Sequence, residues 1–201
     1  MGDSVNTPIL YKQIPRTGNK FSQWLGTFVL KTLGWQYQGS FPPCPKMIIA
    51  VAPHTSNWDF VIGLAVAFNL RLKISFFGKH SIFIPPFAGI LRRLGGIPIQ
   101  RSKTQGVVEQ MAEQMRKAKQ MILCLCPEGT RSPILPWKTG FLHIAHKANV
   151  PVFLVAINYK KKLIEFGPLH NISDNTQLEL EKIYQYFEQV PGKFPEKMLT
   201  K

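Results

Sequence analysis

The sequence has no apolar run long enough to cross a bilayer. Its longest apolar stretches, such as residues 60–70, are shorter than the ~20 residues that a membrane-spanning helix needs, and Arg71 and Lys73 follow closely. The first residues, Met1 to Ser4, lack the basic start and the apolar core of a signal peptide. We therefore expect a protein that does not cross a membrane as a single span, although it can still lie on one.

Cysteine is also scarce. The chain has three cysteines, Cys44, Cys124 and Cys126, an odd number without the spacing of a metal site, so we expect no bound metal. Cys124 and Cys126 alternate within an apolar run, which predicts that both are buried thiols. Unpaired buried thiols are typical of a reducing compartment.

Acidic residues are the third shortage. The 11 Asp and Glu stand against 25 Lys and Arg, which gives a formal net charge of +14. Such a balance predicts an anionic partner and leaves nucleic acid, anionic lipid and phosphorylated substrates open. No helix-turn-helix, zinc or RNA-binding aromatic motif is present, so we expect no nucleic-acid partner. At 201 residues, of which 45% are apolar, the chain is long enough for one domain with a substantial core.

A histidine and an aspartate lie at a predicted strand-to-helix junction. The apolar residues 47–51 are typical of a buried strand, and the apolar residues 60–68 are typical of a helix. His54 and Asp59 lie between them. A carboxylate in the first helical turn can fold back to one imidazole nitrogen, which leaves the other nitrogen free to accept a proton. The spacing alone is equally compatible with a helix cap and a surface histidine.

The N-terminal part of the chain contains a predicted amphipathic helix over residues 21–33. Its apolar residues recur with helical spacing on one face: Phe21, Trp24, Leu25, Phe28, Val29 and Leu33. This face either packs on the core or lies in a bilayer surface, and the nearby Lys12, Arg16 and Lys20 favour the second interpretation. We predict two parts: residues 1–46, a lead-in with this helix and its candidate membrane-facing side, and residues 47–201, the main domain.

Predicted strands and helices alternate through the main domain. Strands are expected at 47–51, 73–77, 97–99, 121–126, 150–157 and 163–166, and helices at 60–68, 88–94, 104–118, 138–149 and from 174 onward. This order predicts an α/β fold, a single domain with a largely parallel central sheet flanked by helices. Ligands gather at the carboxyl ends of parallel strands. Charged and polar residues follow the predicted strands there: His54, Lys79, Arg101, Glu128, Gly129, Thr130 and Arg131.

Four ordered blocks of the sequence resemble those of the glycerolipid acyltransferases, a superfamily that includes the glycerol-3-phosphate and 1-acylglycerol-3-phosphate acyltransferases. The blocks are His54-x-Ser56-x-x-Asp59, Gly96-x-Pro98-Ile99-x-Arg101, Pro127-Glu128-Gly129-Thr130-Arg131-Ser132 and Val150-Pro151-Val152. The resemblance extends from about residue 47 to residue 158. It implies that residues 47–201 form an acyltransferase domain.

The resemblance also implies a mechanism. His54 would be the general base and Asp59 its orienting partner. The donor would be acyl-CoA or acyl-carrier protein, a co-substrate and not a resident cofactor, and the acceptor a lysophospholipid hydroxyl. Backbone N–H groups at the start of the helix would stabilise the oxyanion. The protein would work as a peripheral enzyme on the cytoplasmic face of an anionic membrane.

The remaining block residues are expected to bind the acceptor. Arg101 and Arg131 are candidates for binding its anionic head group, because a guanidinium can donate two parallel hydrogen bonds to two phosphate oxygens. Lys79 is a third candidate. Glu128 either braces a loop, meets the acceptor or caps a turn, and Gly129 and Thr130 belong to the same turn. The alternative function is an acyl-thioesterase or lipid hydrolase, in which water replaces the acceptor at the same His/Asp pair.

Overall fold

A seven-stranded sheet runs through the described residues, which are 6–99, 106–132 and 135–198 of a computed structural model. The strands are β1 (Gln36–Gln38), β2 (Lys46–Ala52), β3 (Ile74–Lys79), β4 (Gly96–Ile99), β5 (Met121–Leu125), β6 (Val152–Asn158) and β7 (Leu163–His170). Their spatial order is β1-β7-β6-β2-β5-β3-β4. Neighbours from β6 to β4 pair in parallel, whereas β7 runs antiparallel to β6 and β1 parallel to β7. The predicted α/β fold with a largely parallel sheet is confirmed.

Helices cover both faces of this sheet. They are α1 (Lys20–Leu33), α2 (Trp58–Asn69), α3 (Phe87–Arg93), α4 (Val107–Lys117), α5 (Gly140–Ala148) and α6 (Thr176–Glu188), with short 3-10 turns at His80–Ile82 and Pro195–Lys197. Strand β2 shows why two layers are needed. Its Met47 and Ile49 pack with residues of α1 and α2, while its Ile48 and Ala50 pack with residues of α4, α5 and α6. A strand that buries both sets of alternating side chains must be apolar throughout.

Several element boundaries differ from the sequence prediction. Strand β3 continues beyond residue 77, its predicted end, through Gly78 to Lys79. A Cβ at Gly78 would lie 2.7 Å from the Phe83 ring. Strand β1 was not predicted, because its sequence Gln-Tyr-Gln has no apolar run. Strand β7 continues to His170, beyond the predicted end at residue 166. The predicted start of α4 at Thr104 lies outside the described residues.

Helix α1 has one packed face and one exposed face. A Cβ at Gly26 would lie 2.5 Å from the Ala65 carbonyl oxygen and 2.5 Å from the backbone nitrogen of Asn69, so α1 approaches the backbone of α2 closely. On the other face, the rings of Phe21, Trp24 and Phe28 form a stack and are each more than half exposed. The core-packing interpretation is therefore wrong for these three aromatics. None of the described helices combines the length and the apolar character that a membrane-spanning segment requires.

Strand β1 brings part of the N-terminal lead-in into the sheet, where it pairs with β7. The division of the chain after residue 46 stays a prediction.

Candidate active site

Three neighbouring strands bring the polar residues of the candidate site to one edge of the sheet. Strands β6, β2 and β5 lie side by side and run parallel, so their carboxyl ends meet there. His54 follows β2, Glu128 follows β5 and Tyr159 follows β6. The predicted convergence of His54 and Glu128 is confirmed, because the Glu128 carboxylate accepts the His54 backbone N–H at 3.0 and 2.8 Å.

His54 and Asp59 form the contact that their spacing predicts. The His54 Nδ1 atom lies 3.1 Å from the Asp59 Oδ2 atom. The aspartate side chain is 3% exposed and the histidine side chain 23% exposed, so the carboxylate is enclosed while the ring still reaches solvent. A carboxylate at Nδ1 favours the tautomer with the proton on that nitrogen, which leaves Nε2 as the basic atom. Within the described residues, no side chain or backbone group forms a hydrogen bond with Nε2.

The Asp59 carboxylate is fixed by further hydrogen bonds. Its Oδ2 atom accepts the backbone N–H groups of Thr55 at 2.9 Å and Ser56 at 2.8 Å. Its Oδ1 atom accepts the Tyr159 hydroxyl at 2.6 Å. Both oxygens are thus engaged, and the oxygen that meets the His54 ring cannot exchange places with the other without breaking several bonds.

Tyr159 is the site residue that sequence reasoning missed. It comes directly after the apolar strand β6 and therefore at the same sheet edge as His54. The rule that ligands gather at strand ends would have selected it, but a neutral tyrosine in no block of the resemblance gave no further signal.

Four backbone N–H groups at or just before the start of α2 already donate hydrogen bonds within the protein. Those of residues 54–56 donate to Glu128 or Asp59, and that of Trp58 donates to the Ser56 hydroxyl at 3.1 Å. The expectation that such groups stabilise an oxyanion is therefore wrong for these four donors.

Glu128 braces the loop that carries His54, which is one of the roles predicted for it. Glu128 is partly buried, and burial raises its pKa from 4.5 to about 7, although the hydrogen bond from the His54 backbone and the His54 ring act in the opposite direction. The desolvation cost exceeds both favourable interactions. The carboxyl group consequently has a pKa near neutral pH and lies against the backbone of His54.

The turn after Glu128 has a backbone conformation that favours glycine. Gly129 has φ = +65°, a conformation that favours glycine, and a Cβ there would lie 3.0 Å from the Cδ atom of Lys138. The Thr130 hydroxyl accepts the backbone N–H of Ser132 at 3.3 Å. Gly129 and Thr130 therefore shape the backbone of the turn, which places the following Arg131.

Two cations lie beside the start of α2. The exposed Arg131 donates through Nη1 to the side-chain oxygen of Asn57. The Nζ atom of Lys193, which no block of the resemblance contains, lies 4.5 Å from the centre of the Trp58 ring. Arg131 is thus joined to the loop that carries His54, as the prediction of a common site requires, while its role toward a substrate stays a prediction.

The two other predicted cations are placed differently. Lys79 is exposed at the end of β3, two strands away from β2. Among the described residues, no hydrogen bond or ion pair joins it to His54, Asp59 or Glu128. Arg101 lies outside the described residues, so its predicted part in the site stays a prediction.

The thiols near the site, Cys124 and Cys126, are protonated and therefore unreactive at neutral pH. Burial raises the pKa of Cys124 to about 12. Burial, reinforced by the neighbouring Cys124, Glu128 and Asp59, holds the pKa of Cys126 well above its usual value. A protonated thiol is a poor nucleophile, so the histidine is the group here that is suited to activate a substrate hydroxyl. No cluster of three or more metal-ligating side chains occurs in the part of the chain that the structure describes.

Comparison with known proteins adds a family. A family model described as Acyltransferase matches residues 39–158, which include His54, Asp59 and the turn after β5. The chain is 31% identical over 130 residues to the 1-acyl-sn-glycerol-3-phosphate acyltransferase of Escherichia coli strain K12, covering 61% of this chain and 51% of that protein. It is 31% identical over 147 residues to the enzyme of the same name from Limnanthes alba, covering 68% and 50%. The chain thus spans about half the length of these curated relatives.

A solved structure shows the same fold. The crystal structure of the 1-acyl-sn-glycerophosphate (LPA) acyltransferase PlsC from Thermotoga maritima superposes with a TM-score of 0.61. The two sequences are 20% identical, and the match covers 84% of this chain and 76% of that chain.

Proposed function

Since the chain belongs to the acyltransferase family, we propose that it moves a fatty acyl group from acyl-CoA or acyl-carrier protein to a lysophospholipid hydroxyl. An acceptor such as 1-acylglycerol-3-phosphate agrees with the names of its relatives. The observation that carries the proposal is the contact of 3.1 Å between His54 Nδ1 and Asp59 Oδ2, which leaves Nε2 available as a base.

In the proposed reaction, His54 Nε2 takes the proton of the acceptor hydroxyl as its oxygen attacks the thioester carbonyl. A new C–O bond forms, the C–S bond breaks, and the proton passes from Nε2 to the departing thiolate. Asp59 stabilises the imidazolium that exists between these steps. A thioester is already activated, so no acyl-enzyme is required, in keeping with the protonated Cys124 and Cys126.

Arg131 is proposed to hold the phosphate of the acceptor. Its guanidinium lies beside Asn57, two residues before Asp59, and a guanidinium can pair two N–H groups with two phosphate oxygens. The positive charge of the chain, +14 in total, would also attract a phosphorylated lipid and an anionic membrane surface.

The same proposal includes a peripheral position on the cytoplasmic face of a membrane. The stacked rings of Phe21, Trp24 and Phe28 are exposed on α1, and aromatic side chains of this kind are favoured at the bilayer interface. Lys20 at the start of the helix and Arg16 before it supply positive charge for anionic lipid. Sedimentation with anionic vesicles should detect this contact, and Trp24→Ala should weaken it about 10-fold.

A matched control is Leu178→Ala, since Leu178 is similarly exposed on α6. If Trp24→Ala and Leu178→Ala bind vesicles equally well, α1 is not the membrane contact.

The activity is tested by giving the purified protein a long-chain acyl-CoA with 1-acylglycerol-3-phosphate and measuring diacylated product and free fatty acid together. We expect acylated lipid to dominate, and His54→Ala to abolish its formation. Free fatty acid as the main product would instead support the hydrolase alternative. His143→Ala is a suitable control, because His143 is exposed on α5. Acyl transfer by His54→Ala at a rate near that of the wild type would refute the proposal that His54 is the general base.

A further inference from the structure

We propose that Tyr159 is a positioning residue of the active site, which fixes the Asp59 carboxylate so that one particular oxygen faces the His54 ring. The inference rests on the proposed function, because it assigns Tyr159 a part in the work of the His54 base. Tyr159 lies just past the end of the matched region, residues 39–158.

The two oxygens of Asp59 have separate partners. Oδ2 receives two backbone N–H groups and meets the His54 ring at 3.1 Å. Oδ1 receives the Tyr159 hydroxyl at 2.6 Å. A carboxylate can rotate about its last bond and exchange its oxygens. The hydroxyl opposes this rotation from the side that the backbone donors do not reach.

Tyr159 can hold Asp59 because its own position is fixed. It directly follows β6, and its backbone N–H donates to the Pro191 carbonyl at 3.2 Å. Its ring packs edge-on against Trp35, with centroids 5.0 Å apart and an interplanar angle of 89°. Trp35 is itself 4% exposed. The hydroxyl is therefore presented from a packed part of the fold, which is the arrangement that a positioning group needs.

The phenol remains a donor throughout the working pH range. Burial and the hydrogen bond to Asp59 both hold the pKa of Tyr159 far above its usual value. The hydroxyl proton thus stays on Tyr159, and the bond to Asp59 does not switch on or off near neutral pH. Tyr159 takes no proton in the reaction and acts only through Asp59.

The chain supplies a matched control in Tyr37. The Tyr37 side chain is buried, whereas Tyr159 is partly buried, and the Tyr37 hydroxyl donates to the Asn69 side-chain oxygen at 2.8 Å. Asn69 lies at the far end of α2, whereas Asp59 lies in its first turn. Tyr37→Phe therefore removes a tyrosine hydroxyl bond to a side-chain oxygen, here a neutral amide, without touching the His54–Asp59 pair.

The experiment compares Tyr159→Phe, Tyr37→Phe and wild type in steady-state acyl transfer, with thermal unfolding measured for each. We expect Tyr159→Phe to lower kcat about 10- to 100-fold, the effect of losing one hydrogen bond to a charged group, with both KM values nearly unchanged. Tyr37→Phe should keep wild-type kcat, even if its unfolding temperature falls as far. Equal kcat for the two variants would overturn the proposal, and so would a loss that appears in KM.

Two further measurements test whether the loss of kcat in Tyr159→Phe passes through Asp59. In an Asp59→Asn background, Tyr159→Phe should cost almost nothing more, because its effect passes through Asp59. A full multiplicative loss there would refute that route. ¹⁵N NMR of the His54 ring, assigned by its absence in His54→Ala, should show less of the Nδ1-protonated tautomer in Tyr159→Phe. An unchanged tautomer ratio would also refute it.

The failure of this inference differs from the failure of the proposed function. If His54→Ala retains transfer, the proposed base is wrong. If His54→Ala is inactive while Tyr159→Phe behaves like Tyr37→Phe, only the role of Tyr159 is wrong.

Discussion

Two parts of the candidate site meet at the same sheet edge but are built differently. In the base loop, residues 53–59, Asp59 is buried and both of its oxygens are hydrogen-bonded. In the cation segment, the described residues of 127–138, Arg131 is exposed, and among the residues that the structure describes it is bonded to Asn57 alone. A fixed base suits a reaction in which proton transfer demands one geometry. An exposed guanidinium can adjust its position to the phosphate of the proposed lipid acceptor.

This difference predicts that changes in the base loop reduce kcat and that changes in the cation segment alter substrate binding. Glu128 belongs to the cation segment but braces the base loop through the His54 backbone, so its substitution should mainly affect stability.

The largest effect is expected for Asp59→Asn. An amide cannot accept hydrogen bonds at both of its terminal atoms, so its NH₂ group would face either the Tyr159 hydroxyl or the N–H groups of Thr55 and Ser56. We expect kcat to fall about 10³-fold with KM little changed, since the base loses its orienting charge. Steady-state kinetics at saturating donor measures this. The control is Asp174→Asn, an exposed carboxylate outside the site. A kcat within tenfold of wild type would contradict the fixed-base picture.

Glu128→Gln should change how stability depends on pH. The folded state raises the pKa of Glu128 from 4.5 to about 7 through burial, so the folded protein binds this proton more tightly than the unfolded chain. The resulting stability is fully present below about pH 4.5 and is lost as the pH rises through about 7. It amounts to at most about 3 kcal/mol.

Glutamine stays neutral, so the variant should lack this decline. Chemical denaturation at pH 5, 6, 7 and 8 compares the two proteins, with the exposed Glu181→Gln as control. Parallel stability profiles for wild type and Glu128→Gln would show that the carboxyl is not destabilised by burial.

Arg131→Ala tests the cation segment. We expect KM for the phosphorylated acceptor to rise about 10-fold, the scale of one hydrogen bond to a charged group, with KM for acyl-CoA unchanged. Arg131→Lys should recover part of the loss, and Arg93→Ala, an exposed arginine of α3, is the control. An equal rise in both KM values would assign Arg131 to the donor or to general electrostatic attraction.

The smallest effect is expected for Lys79→Ala. Lys79 is exposed at the end of β3, and β5 lies between β3 and β2. The predicted binding role of Lys79 would then rest on long-range attraction alone, which salt screens strongly. We expect acceptor KM to change by less than about 2-fold at physiological salt. A change as large as that of Arg131→Ala would place Lys79 in the binding site.

The His54–Asp59 contact could be predicted from the sequence, because both residues lie in one short junction between a predictable strand and a predictable helix. It also predicted that Glu128 lies near His54, because carboxyl ends of parallel strands share an edge. The contact between Tyr159 and Asp59 joins residues 100 positions apart. It depends on β6 lying directly beside β2, and strand order is set by the packing of whole elements, which no local pattern encodes.

A local pattern also could not predict which face of α1 is buried. Helical spacing predicts which residues share a face, but not which neighbour covers that face. The covering is decided by Gly26, whose missing side chain lets α1 approach the backbone of α2. As a result, α1 packs against α2 around Gly26, which is not one of the apolar residues that the helical spacing selected. The rings of Phe21, Trp24 and Phe28 are left on the surface.

The close contact at Gly26 links the proposed membrane contact to the proposed active site. Helix α2 carries Asp59 in its first turn, and α1 carries the aromatic rings proposed to enter the bilayer. Helices packed this closely cannot shift far against each other without opening the contact. A docked protein would accordingly hold the histidine at a set height and tilt above the lipid head groups, so that an acceptor hydroxyl is reached while its acyl tail remains in the membrane.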